Sequence, residues 1–75
     1  MPSKSGNLSI RDGDGFVITP AGLPYAETIE ADLVRVAFDG STTGRHRPSS
    51  EWQLHAAIYA ARPGVQAVEI GRAHV

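Results

Sequence analysis

Cysteine is absent from this 75-residue chain, which excludes disulfide staples and thiolate zinc sites together. No charge of one sign dominates either: seven Lys and Arg stand against eight Asp and Glu, a formal net charge of −1. A domain that binds phosphate backbones is normally strongly basic, so this balance argues against nucleic acid as a partner. No apolar run approaches the ~18 residues that a membrane span requires. The stretch Met1-Pro2-Ser3-Lys4-Ser5-Gly6 also lacks the apolar core of a secretory leader. These absences predict a cytoplasmic chain with no membrane partner and at most one domain. A chain this short buries only roughly 60% of the surface its unfolded form exposes, so its core is marginal. Chains below about 80 residues usually lean on disulfides, a metal or a partner.

Residues 1–7 are polar and rich in Gly, Ser and Asn, and read as loop. Leu8, Ser9, Ile10 and Arg11 alternate apolar and polar, the period of a half-buried strand. Asp12-Gly13-Asp14-Gly15 is a strong turn signal, and Phe16-Val17-Ile18-Thr19 a second strand. Together they predict a hairpin over 8–19. Pro20 ends the strand, and residues 20–25 are irregular because two prolines remove two backbone donors. Thr28-Ile29-Glu30-Ala31-Asp32 has the polar cap and acidic first turn of a very short helix. Leu33 to Phe38 reads as a third strand and 41–48 as a polar loop. Ser50 is the expected cap of the main helix, 51–61, with Leu54, Ile58 and Ala61 on one face and Trp52, Ala56 and Tyr59 beside it. Arg62-Pro63-Gly64 stops it, and Val65 to Val68 begins a fourth strand. The pattern is a small α/β unit, a mixed β-sheet with one main helix.

Several short stretches could carry chemistry. Ser49-Ser50-Glu51 opens the helix, where unpaired N–H groups and the macrodipole favour an anion and two hydroxyls add donors. A carboxylate beside a bound phosphate is placed to take a proton from the same substrate. The plain alternative is an ordinary cap followed by a dipole-favourable Glu. Thr19-Pro20-Ala21-Gly22 can turn N–H groups toward an anion, or simply end a strand. Gly6-Asn7 offers an amide donor, or a simple turn. His46, His55 and His74 show no short His-x-His or Glu-x-x-His spacing. His46 lies between Arg45 and Arg47 and reads as solvated. Glu51 and His55 are one helical turn apart, so they can face each other, in a structural contact rather than as shared metal ligands.

Taken in order and spacing, these pieces resemble the class II aldolase/adducin N-terminal domain family, its fuculose-phosphate aldolase branch above all. The matching stretches are Gly6-Asn7-Leu8-Ser9, Ile18 to Tyr25, Pro48-Ser49-Ser50-Glu51-Trp52 with His55, and Ala61 to Val68. The resemblance implies part of a three-layer fold. It also implies reversible cleavage of a ketose 1-phosphate to dihydroxyacetone phosphate and an aldehyde, with zinc as the Lewis acid. It places Gly6, Asn7, Ala21, Gly22, Ser49 and Ser50 on the substrate phosphate. Glu51 would be the catalytic carboxylate, able also to touch the metal. Sugar-phosphate epimerases and methylthioribulose-phosphate dehydratases of the family share these loops, and its adducin branch is a non-catalytic binding module. The intact enzymes are expected to be homotetramers.

Two departures matter. Family members usually carry Ser or Thr at the position of Ala21. Where the family runs into a His-x-His pair of zinc ligands, this chain has Ile70 and Arg72. The reading is therefore a partial domain over 1–68 with a non-family tail at 69–75. Such a fragment is expected neither to bind zinc nor to turn over substrate.

Overall fold

The two-residue turn Gly13-Asp14 joins β1 (Ser5–Asp12) to β2 (Gly15–Ile18), with Asp12 opposite Gly15. Gly13 turns at φ 59, a left-handed backbone that favours glycine. At Gly15 a Cβ would lie 2.4 Å from the Val36 carbonyl oxygen, so the neighbouring strand admits no side chain there. The computed structural model describes residues 5–22 and 27–72. Expectations on Met1 to Lys4, on Leu23-Pro24-Tyr25 and on His74 lie outside the described residues.

β3 (Val34–Ala37) pairs with β2, and β4 (Thr42–Thr43) forms the edge beside it. β5 (Ala67–Arg72) pairs with the other side of β1, giving the order β4-β3-β2-β1-β5, antiparallel at every described pairing. The main helix, α1 (Trp52–Ala61), covers one face. Period-2 alternation sends Phe16, Ile18, Val34 and Val36 into that face, where they meet Tyr59 and Val68. Phe16 lies 5.2 Å from the Tyr59 ring and 6.0 Å from that of Phe38.

The expected hairpin, third strand and main helix are present, with several corrections. Gly6-Asn7 is not loop. It extends β1, opposite Gly71 and Ile70, and a Cβ on Gly6 would lie 2.7 Å from the Ile70 carbonyl oxygen. The last strand starts at Ala67 and runs through Arg72, so Glu69 to Arg72 are part of the sheet. Pairing between segments some sixty residues apart leaves no local signature. The short helix is a 3₁₀ turn, Glu30–Asp32, and the 41–48 loop contains β4. Glu51, not Ser50, occupies the cap position of α1, and its N–H donates to Ser49 Oγ at 3.3 Å.

The buried face of α1 also differs from expectation. His55 and Tyr59 point inward, whereas Leu54 is 48% exposed and Ala61 is exposed. β1 alternates as expected, yet Ile10 is 55% exposed while Asn7 and Ser9 are buried against the helix. The two surprises share one cause. The polar face of β1 supplies hydrogen-bond partners to the polar tips of His55 and Tyr59, and satisfied polar groups tolerate burial.

Arg11, next on that face, ties the helix end to the sheet. Its Nε donates to Val65 O (2.8 Å) and its Nη2 to Tyr59 O (3.1 Å), while the guanidinium lies 4.8 Å from the Tyr59 ring centroid. Tyr59 O is a carbonyl that the helix terminus leaves without an intrahelical partner, because residue 63 is a proline, and Val65 O belongs to the turn that follows. Arg11→Met keeps the aliphatic stem and removes the donors. We expect a loss of about 1–3 kcal/mol, read as a fall of roughly 4–8 °C in thermal midpoint per kcal/mol. An unchanged midpoint would show that the clamp contributes nothing.

Candidate phosphate-binding site

Pro20 cannot continue the β2 ladder as a donor, so the chain leaves the sheet there and meets a second proline coming the other way. Pro20 and Pro48 form an isolated antiparallel bridge, flanked by Ala21 N–H to Arg47 O (2.9 Å) and Ser49 N–H to Thr19 O (3.0 Å). These bonds set the Ala21-Gly22 loop beside Ser49-Ser50 at the start of α1. Ala21, Arg47, Pro48, Ser50 and Trp52 line a shallow pocket over the junction. Gly22 turns at φ +76 with open space where a Cβ would stand.

The third segment is tied to the same place from the sheet side. Thr19 N–H donates to Leu8 O at 3.1 Å, and Leu8 N–H to Thr19 Oγ1 at 3.3 Å. Asn7 therefore sits one residue from the point where the Pro20 loop departs. It is 5% exposed, and its side-chain oxygen accepts a hydrogen bond from His55 Nε2, one turn along α1 from Glu51. The segments Gly6-Asn7, Ala21-Gly22 and Ser49-Ser50-Glu51 are thus tied to one another through Thr19, Arg47 and His55.

Their donors are not equally available. Ala21 N–H is engaged by Arg47 O, Ser49 N–H by Thr19 O, and Trp52 N–H by Ser49 O. Among the described residues, Gly22 N–H and the Ser50 N–H and hydroxyl form no hydrogen bond. Ser50 lines the pocket together with Arg47, and Gly22 directly follows Ala21 of its lining. Arg47 read in the sequence only as part of a basic loop; its place two residues before the serine pair was the available signal.

A neighbouring cluster braces the loop that leads to Pro48. Arg45 Nη2 (2.6 Å) and His46 Nε2 (3.0 Å) both reach Asp32 Oδ1, so His46 is not simply solvated as its sequence context suggested. The Arg45 bond, then the Ile29 N–H and His46, hold the Asp32 carboxyl well below the usual carboxylate range, at about 2.

His55 does not turn its ring to Glu51. Its backbone N–H donates to Glu51 O (3.2 Å), while the imidazole enters the core beside Phe16, with Ser9 Oγ 2.6 Å from Nδ1. Burial lowers its pKa below the 6.5 of an exposed imidazole. The unfolded chain therefore takes up this proton first as pH falls. The stability tied to the neutral ring is complete above pH 6.5 and is lost progressively below it. Asp32 follows the same direction in a lower range: its contribution is present above 3.8 and is lost only as pH falls toward about 2. We expect the urea midpoint to drop between about pH 7.5 and about pH 5.5, and His55→Gln to flatten that drop. An equal drop in both chains would assign it to another group.

The residues present do not fit a zinc ion. Ile70, opposite Asn7, has no donor atom, and Arg72, opposite Ser5, bears a permanent cation. Among the described residues no three His, Cys, Asp or Glu side chains gather as a metal would require.

Comparison with known proteins places the fold in a family. Residues 1–69 match the family described as Class II Aldolase and Adducin N-terminal domain. The chain belongs to that family. It is 48% identical over 64 residues to a 5-methylthioribulose-1-phosphate/5-deoxyribulose-1-phosphate aldolase of Rhodospirillum rubrum, covering 85% of this chain and 29% of the relative. It is 42% identical over 64 residues to the L-fuculose phosphate aldolase of Escherichia coli strain K12, covering 85% and 30%. Among solved structures, an L-fuculose 1-phosphate aldolase superposes with a TM-score of 0.80 at 34% identity, over 89% of this chain and 33% of that one. The chain thus spans about a third or less of these relatives. No described helix is long and apolar enough to cross a membrane.

Proposed function

We propose that this chain forms the phosphate-gripping part of a class II aldolase-type site whose substrate is a ketose 1-phosphate. The observation that carries the reading is the Pro20–Pro48 bridge, which ties the Ala21-Gly22 loop to the segment that opens α1, so that Ala21 and Ser50 line one pocket with Arg47. The relatives named for fuculose phosphate and for 5-substituted ribulose 1-phosphates support a small phosphorylated ketose.

In this reading Gly22 N–H and the Ser49 and Ser50 hydroxyls donate to phosphate oxygens. Arg47 balances their charge, and Asn7 donates from the strand side. Gly6 admits the close approach of β5 that keeps Asn7 in place. Glu51, on the residue after the serines, is the carboxylate positioned to accept a proton from the carbon chain of the bound ester. No step is assigned to zinc, since the Ile70 and Arg72 positions cannot hold it. The chain on its own therefore binds without turning over.

Calorimetric titration of the 75-residue chain separates the possibilities. Dihydroxyacetone phosphate should bind and unphosphorylated dihydroxyacetone should not; equal heats from both, or none, would overturn the pocket. In a coupled assay for dihydroxyacetone phosphate release with zinc supplied, no turnover is expected. Sustained turnover would overturn the claim that binding is all this chain does.

A further inference from the structure

The buried polar atoms facing α1 form one continuous chain. The Tyr59 hydroxyl lies 2.7 Å from Ser9 Oγ, Ser9 Oγ 2.6 Å from His55 Nδ1, and His55 Nε2 against Asn7 Oδ1. Ser9, His55 and Tyr59 are essentially inaccessible and Asn7 nearly so, so water does not compete for these bonds. Their direction follows from the inventory of donors and acceptors. Asn7 Oδ1 can only accept, so Nε2 carries the ring proton. Burial keeps the ring neutral, which leaves Nδ1 as an acceptor from the Ser9 hydroxyl. Ser9 Oγ then accepts from the Tyr59 hydroxyl. With the Asn7 oxygen toward the ring, as the structure has it, each group finds its complement in this direction.

We propose that His55 is a positioning residue for the phosphate site. By accepting from Ser9 at Nδ1 it is held as the Nε2–H tautomer. In that tautomer it can engage only the oxygen of the Asn7 carboxamide. The carboxamide is thereby locked with its NH₂ turned away from the ring. Among the described residues that Nδ2 group donates no hydrogen bond, although Asn7 is 5% exposed. A buried amide donor without a partner is costly unless a ligand completes it. Its position, one residue from the Leu8–Thr19 tie to the Pro20 loop, suits a phosphate oxygen. A carboxamide flipped by 180° would present Oδ1 to the anion and repel it. Tyr59, Ser9 and His55 thus set the sign of the charge that Asn7 offers. The inference rests on the phosphate-site reading above.

The test uses the full 75-residue chain and inorganic phosphate. In the native chain, the ring nitrogens of His55 should give ¹⁵N resonances of the Nε2–H tautomer, and the Asn7 side-chain amide should shift as phosphate is added. His55→Leu should weaken phosphate binding about tenfold or more, the loss of an oriented hydrogen bond to a charged group. His55→Gln, which retains an N–H donor toward Asn7, should stay within about threefold even if its melting temperature falls as far. A merely structural histidine would move phosphate affinity and melting temperature together in both variants, and that result would overturn the proposal. If His55→Leu does not fold, the native measurements decide: an Nδ1–H tautomer, or an Asn7 amide indifferent to bound phosphate, overturns it. Absence of any phosphate binding by the native chain would sink the site reading itself. Undiminished binding in His55→Leu would sink only the positioning role.

Discussion

Replacing Phe16 with alanine is expected to remove a large share of the chain's stability. Phe16 is fully buried at the centre of β2, between Val36 across the sheet and the rings of Tyr59 and Phe38. Removing such a ring costs about 3–5 kcal/mol, as lost transfer energy plus the cavity left behind. A chain of this length holds only about 4–11 kcal/mol in total. Among the described residues the fully buried apolar positions are few, so neighbouring side chains have little with which to refill the space. Far-UV circular dichroism and urea titration read the outcome directly. A stability within about 1 kcal/mol of native would mean that the core tolerates collapse around residue 16, contrary to the packing described.

Ser9→Val should be nearly as damaging, for a different reason. Valine is one heavy atom larger than serine, so the swap leaves no cavity and crowds a fully buried position, and it removes the one atom that joins His55 Nδ1 to the Tyr59 hydroxyl. Both partners then stay buried without a complement, at about 1–3 kcal/mol each. Ser9→Val with Tyr59→Phe should recover part of that loss, because the second change removes one of the two stranded groups. The cycle of single and double variants in urea measures the coupling. Strict additivity would show that the hydroxyl contact contributes nothing.

These two residues also mark the boundary of what was legible beforehand. Phe16 belongs to a run of β-branched and aromatic residues after an Asp-Gly turn, and such local signals lead directly to the hairpin and the core face of β2. Ser9 does not announce itself. Periodicity arguments weigh apolar residues, so Leu8 and Ile10 looked like the informative half of β1, and Leu54 and Ile58 the informative half of α1. The buried halves are instead Asn7, Ser9, His55 and Tyr59, whose burial is acceptable only because each satisfies another across long sequence separations. The pairing of β1 with β5 was hidden for the same reason: nothing near Gly6 or near Gly71 reports on the other. The helix start was visible in Ser49-Ser50-Glu51, but which residue caps it depends on the Pro20–Pro48 bridge.

The candidate site was legible in its composition more than in its geometry. Resemblance named Gly6, Asn7, Ala21, Gly22, Ser49, Ser50 and Glu51 together, and the folded chain draws these segments into one neighbourhood. Which groups remain free to donate could not be read ahead, since Ala21 N–H and Ser49 N–H are engaged by bonds between the loops themselves. The place of Arg47 in the pocket lining was likewise hidden in a loop that read only as polar.

The central claim is that these segments make one anion pocket with Gly22 and Ser50 as its donors. The most direct test is a titration of the ¹⁵N-labelled 75-residue chain with inorganic phosphate, followed through backbone and side-chain amide resonances. The account predicts saturable shifts concentrated at Gly22, Ser50 and the Asn7 side chain, with Ala21 much less affected because its N–H is already engaged. Shifts scattered over the surface arginines, or none at those three residues, would contradict it.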